Sequence, residues 1–164
     1  EVGFDSKPFS EIFHRAKKAG LGITIHSGEA NVEKAPRYVR DAIDYLGAER
    51  IGHGVQIYRS EEMMKYVKEK HVVLELCPTS NYLTNAVPTK TEHPLKKLFD
   101  YGVLTTINTD DPGIFNIDLN NEYAFAQDLL QFSESELKQC SQIAAERSFI
   151  PLNKRQKVWH SKLV

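Results

Sequence analysis

The chain lacks the features that would tie it to a membrane, a nucleic acid or an oxidising compartment. No apolar run approaches the ~18 residues of a membrane-spanning helix. No basic segment followed by an apolar one marks a secretory leader. Neither charge sign is in excess: 21 Lys and Arg stand against 22 Asp and Glu, a net charge of −1 with the six His neutral. Nothing here forms an electrostatic footprint for nucleic acid or an anionic membrane, and neither is expected as a partner. Cysteine is confined to Cys77 and Cys140, too few for a disulfide scaffold and in keeping with buried thiols in a reducing, cytoplasmic setting. Ser161-Lys162-Leu163 resembles a peroxisomal address, but Val164 follows it. No Gly-rich phosphate loop follows any apolar run.

Helical and strand patterns alternate along the 164 residues. Phe9, Ile12, Phe13, Ala16 and Ala19 recur at helical spacing and stop at Gly20. Leu21 to Ile25 reads as a short strand. Pro36 opens a helix with Tyr38, Val39, Ala42, Ile43 and Leu46 on one face, closed by Gly47. Arg50 to Gly52 is a minimal second strand. Ser60 caps a helix through Met63, Met64 and Val67. Val72 to Leu76 is a third strand, followed by a loop at Cys77-Pro78-Thr79-Ser80-Asn81, where Thr79, Ser80 and Asn81 are expected to fix the backbone. Pro94 to Tyr101 is helical, and Val103 to Ile107 is the fourth strand. Asp118 to Leu130, a segment capped by Ser133 and Glu136, and a last one from Pro151 are helical.

Apolar strands separated by helices imply a parallel sheet covered on both faces. Every strand ends in polar residues. A TIM barrel gathers its site from several strand ends, whereas a doubly wound sheet concentrates it at one switch point. The barrel is the better match, and a barrel needs eight strands where this sequence offers four. The fold expected is α/β, the C-terminal half of a TIM (β/α)8 barrel with extra C-terminal helices from about residue 118. Residues 1–164 form one partial domain whose strands correspond to the barrel's fifth to eighth.

The polar strand ends carry the chemistry. Asp110 and Asp111 are adjacent carboxylates after an apolar strand, and in a low dielectric such a pair needs a compensating cation. Asp110 suits a metal and Asp111 a substrate hydrogen bond, although an Asp before Pro112 also reads as a helix cap. His26 at a strand end is a metal-ligand candidate or a structural histidine. Glu29, beyond a flexible Gly28, can turn back over the pocket, where burial would raise its pKa and make it a proton donor. It can also be an acidic residue at a helix start. His53 stands between Gly52 and Gly54, an unobstructed imidazole or a turn residue. His14, His71 and His160 are given no role, and His93 is read as a cap before Pro94.

Four motifs together, His26-Ser27-Gly28-Glu29, Arg50-Ile51-Gly52-His53-Gly54, Cys77-Pro78-Thr79-Ser80-Asn81 and Asn108-Thr109-Asp110-Asp111-Pro112, resemble the adenosine deaminase family. The resemblance runs from Glu1 to about Phe149. It implies a zinc barrel that converts adenosine to inosine and ammonia. In that family's terms His26 and Asp110 match zinc ligands, and Glu29 matches the acid that protonates the purine at N1. His53 matches the His that orients or deprotonates the zinc-bound water. Asp111 matches the residue that hydrogen-bonds N7, with Gly28 also on the substrate side. Ser27 stands where the family usually has Ala. The family takes two further zinc ligands from a His-x-His, and none occurs in this sequence. Its purine-contacting Gly precedes the position that Glu1 matches. A half barrel exposes open sheet edges. The partners expected are a small-molecule purine nucleoside and either the N-terminal half of the barrel or a second copy.

Overall fold

Each apolar run pairs with the next one along the chain. The computed structural model describes residues 4–158. The readings placed on Glu1, His160 and Ser161-Lys162-Leu163 lie outside the described residues. Strands β1 (Thr24–Ser27), β2 (Arg50–His53), β3 (Val73–Leu76) and β4 (Leu104–Ile107) form one parallel sheet in that order. The register aligns Thr24 with Arg50, Arg50 with Val73, and Val73 with Leu104. This is the arrangement of four consecutive units of a TIM barrel, so the α/β half-barrel reading holds.

Helices α1 (Ser10–Lys18), α2 (Ala35–Leu46), α3 (Glu61–Glu69), α4 (Pro78–Leu83) and α5 (Leu95–Tyr101) connect and flank the strands. Local chemistry sets their ends. Gly47 takes the left-handed conformation that closes α2. The Ser60 hydroxyl accepts the Met63 N–H at 3.2 Å to open α3. After β4 come α6 (Pro112–Phe115), α7 (Leu119–Asp128), α8 (Glu134–Arg147) and α9 (Leu152–Val158). Reciprocal capping boxes at Asp118/Asn121 and Ser133/Glu136 open α7 and α8. The core lies between strands and helices: Ile51, Leu74 and Leu76 are buried with Val39, Leu46, Val67, Leu95 and Leu98.

Three readings are corrected. The first strand is Thr24–Ser27 rather than 21–25. Pairing sets it rather than apolarity, since His26 aligns with Gly52 and Ser27 with His53. The expected loop at 77–81 is instead the start of α4, with Pro78 at a first-turn position where its missing N–H costs nothing. One face of the sheet is fully covered and the other only in part, with Val73 and Thr106 buried on it and Arg50 packed against the Phe149 ring. The partly covered face also carries Thr24 and His26, exposed, with Arg50 and Glu75 half-buried. There Thr24 Oγ1 donates to Glu75 Oε2 at 2.8 Å and Arg50 ion-pairs with Glu75 at 3.3 Å. That face is the inside of the barrel, which opposing strands would cover.

Candidate active site at the strand ends

Parallel pairing brings the C-terminal ends of all four strands to one rim. His26 is the penultimate residue of β1, and Glu29 lies two residues beyond that strand. Gly28 between them has φ +72°, and a Cβ there would meet Val39 Cγ2 at 2.3 Å. Only glycine fits this turn beneath α2. The Glu29 backbone is tied down from below by Gln56, whose Nε2 donates to the Glu29 carbonyl at 3.0 Å and to that of Ala86 at 2.6 Å. The carboxylate therefore folds back over β1. Its Oε2 lies 3.1 Å from His26 Nε2 and 3.6 Å from His53 Nε2.

His53 ends β2 and is buried. Its ring centroid is 4.6 Å from that of His26. Asp110 follows β4, and its Oδ2 lies 4.0 Å from His53 Nε2. Both His53 (φ 66°) and Asp110 (φ 61°) hold left-handed backbone conformations that non-glycine residues seldom adopt. One donor atom each from His26, Glu29 and His53 lies within 4.8 Å of the others. Imidazole nitrogens and carboxylate oxygens in such a group suit a divalent metal, zinc in particular.

The structure brings His26, Glu29, His53 and Asp110 together and places Asp111 at the edge. Asp111 is exposed and sits at the N-cap of α6, but its side chain makes no capping bond. Only its carbonyl serves that turn, accepting from Ile114 and Phe115 at 3.1 and 3.0 Å. Gly28 is buried, and its place in the site is as the turn that aims Glu29.

Two electrostatic expectations change. The Asp110 side chain is 33% exposed and Asp111 is exposed, so solvent relieves the pair that the sequence suggested would be crowded in a low dielectric. Glu29 was expected to have a raised pKa. Burial does push its carboxyl up, but the hydrogen bonds from His26 and Thr84 help to outweigh it and the group is held down at about 2. In the free chain Glu29 is therefore a carboxylate.

Sequence reasoning missed the residues that α4 contributes. Ser80 Oγ donates to Asp110 Oδ2 at 2.7 Å. Asn81 Nδ2 donates to Glu29 Oε1 at 3.2 Å and lies 2.9 Å from His53 Nδ1. Thr84 Oγ1 donates to Glu29 Oε1 at 3.0 Å. The buried Glu122 on α7 steadies this helix, its Oε2 accepting the Thr79 N–H at 3.0 Å. Burial raises the pKa of Glu122, against the lowering effect of Thr79. The usable signal was Pro78 followed by Ser80, Asn81 and Thr84, residues that fall on one side of a helix and scatter in a loop. Cys77 is buried and burial pushes its thiol well up, in keeping with the inert role expected of it.

A family model described as adenosine deaminase matches residues 1–162. A curated adenosine deaminase from Shewanella loihica is 38% identical over 162 residues, covering 99% of this chain and 48% of that protein. Among solved structures, an adenine deaminase from Arthrobacter aurescens matches with a TM-score of 0.87 and 28% identity, over 96% of this chain and 47% of its own. The apo structure of an N6-methyl-AMP deaminase from Arabidopsis thaliana matches with a TM-score of 0.75 and 29% identity, over 88% and 41%. The chain spans about half the length of the curated relatives it matches.

Proposed function

Since the chain belongs to the adenosine deaminase family, we propose that it supplies half of a zinc-dependent active site that hydrolyses adenosine and 2′-deoxyadenosine to inosine and ammonia, a purine-salvage reaction. The observation that carries this reading is the convergence of His26, Glu29 and His53 within 4.8 Å, with Asp110 beside them, at the ends of parallel strands. These strands take the places of the barrel's fifth to eighth. His26 and Asp110 would hold zinc, and the chemistry it supplies when bound is activation of water for attack at the purine C6.

The remaining steps belong to the chain's own groups. Glu29 delivers a proton to the ring nitrogen, which makes the carbon more electrophilic. Burial is the largest single influence on that carboxyl and raises its pKa, and a purine bound over the site would exclude more water and further favour the protonated acid. His53 directs the attacking water. Asp111, whose carboxylate is not spent on capping α6, faces the purine.

His26 and Asp110 are too few ligands for a closed zinc site. The isolated chain is therefore expected to retain zinc weakly and to turn over adenosine negligibly. Elemental analysis after dialysis, with an inosine assay, checks this, and inosine formation by the chain alone at ordinary enzyme rates would overturn the half-site reading. In the full-length parent, adenosine, adenine and AMP are offered in turn. Preference for adenosine carries the proposal. Preference for adenine or AMP shifts it toward the chemistry named for the two structural neighbours. Inactivity toward all three, with zinc bound, leaves a non-catalytic binding module.

A further inference from the structure

We propose that Asn81 and His93 are positioning residues that lock His53 in the tautomer with its proton on Nε2, so that His53 offers the site a hydrogen-bond donor rather than a base. The role of that donor rests on the deaminase reading above, whereas the lock itself follows from the hydrogen-bond chain.

The chain of hydrogen bonds starts at a group with no freedom of assignment. The backbone N–H of Leu95 donates to His93 Nδ1 at 3.1 Å. A backbone N–H can only donate, so His93 Nδ1 carries no proton. His93 is 4% exposed, and burial holds its imidazole down at about 3. A neutral imidazole bare at Nδ1 has its proton at Nε2. That nitrogen lies 3.2 Å from Asn81 Oδ1 and donates to it.

The Asn81 amide is thereby oriented, although oxygen and nitrogen of an amide are otherwise hard to tell apart. Its oxygen accepts from His93, so its two N–H hydrogens point the other way. They meet two acceptors: Glu29 Oε1 at 3.2 Å and His53 Nδ1 at 2.9 Å. A nitrogen that accepts from an amide N–H cannot also carry a proton toward it. The proton of His53 is therefore on Nε2, the nitrogen 3.6 Å from Glu29 Oε2 and 4.0 Å from Asp110 Oδ2. His53, Asn81 and His93 are all buried, and the Leu95, His93 and Asn81 donors each meet an acceptor, the condition under which a buried polar network specifies one arrangement.

The sequence left His53 free to orient the water or to deprotonate it. A ring whose site-facing nitrogen already bears its proton cannot take another there. It can hold an oxygen in place and stabilise negative charge that develops on it.

The test is a two-bond ¹H–¹⁵N correlation spectrum of the full chain labelled at histidine, recorded at neutral pH. Expected are a protonated Nε2 and a bare Nδ1 for both His53 and His93. A proton on His53 Nδ1 in the wild type overturns the proposal, and that measurement needs no variant to fold. Asn81→Asp replaces the amide donor with an acceptor and is expected to move the His53 proton to Nδ1 while leaving His93 unchanged. An unchanged His53 overturns the role of Asn81. His93→Phe is expected to mix the two tautomers, and His93→Gln, which retains an N–H for Asn81 Oδ1, to restore the wild-type one. A wild-type spectrum from His93→Phe overturns the role of His93. In the parent enzyme Asn81→Asp is expected to lower kcat by roughly 100-fold. The expected tautomer in an inactive parent defeats the functional reading alone, and the opposite tautomer in an active parent defeats the lock alone.

Discussion

At the scale of the residue, the site concentrates local costs. His53 and Asp110 both hold left-handed backbone angles, each costing about 1–2 kcal/mol for a non-glycine residue. A buried histidine adds a dependence on pH. The folded chain holds His93 neutral down to about pH 3, whereas an unfolded chain protonates it near 6.5. Between those values the unfolded state binds a proton that the native state does not. Stability from His93 is thus complete above pH 6.5 and is lost as the pH falls below it, by up to about 1.4 kcal/mol per unit. Urea unfolding at pH 7.5, 6.0 and 5.0 checks this, and His93→Phe is expected to flatten that part of the slope. The functional residues differed in how far they could be read ahead. His26, Glu29, His53 and Asp110 stand beside strand ends, where a side chain has one place to go. His93 gave no such sign, because the partner that matters, Asn81, meets it only once the 84–93 segment has folded back over α4.

At the scale of the element, turns fix the site more tightly than strands do. Gly54 has φ +63°, and a Cβ there would meet Leu74 Cδ2 at 2.6 Å and Ile51 Cγ2 at 3.2 Å. Both contacts are with the central strands, so relief would displace β2 or β3 and carry His53 with it. Gly54→Ala is expected to cost about 2 kcal/mol or more, from the positive φ and the overpacking together, which thermal unfolding measures. The helices α2, α3, α5 and α8 were legible because they carry end signals, Gly47 and Gly102 closing α2 and α5, and Ser60 and the Ser133/Glu136 box opening α3 and α8. The strand at 24–27 and the helix at 78–83 were not. Their residues are polar, and their form comes from pairing with β2 and from the Glu122 carboxylate on a distant helix.

At the scale of the whole molecule, the sheet is unfinished. β1 and β4 are both edges among the described residues, and the inward face is polar and partly open. Beside the β1 edge a cleft of about 260 Å³ is lined by Phe4, Phe9, Phe13, Ile25 and Tyr38 together with His26. Phe4 and Ile12 are 57% and 62% exposed. Open edges and exposed apolar side chains favour association. Sedimentation is expected to show a mass that rises with concentration, or a one-to-one complex when the other half of the barrel is supplied, and a stable monomer at all concentrations would count against it. The strand order has a consequence for how such a molecule comes into being. Each strand pairs only with its neighbour in sequence, so every closure spans about 25 residues and the loop entropy of each step is modest. Contacts this local favour rapid folding, one unit after another, as the chain leaves the ribosome. His26 emerges on the first strand and Asp110 after the last, so the two would-be zinc ligands are among the first and last site residues to be synthesised. These two residues therefore reach one rim only when the fourth strand docks, and that docking completes this chain's share of the site.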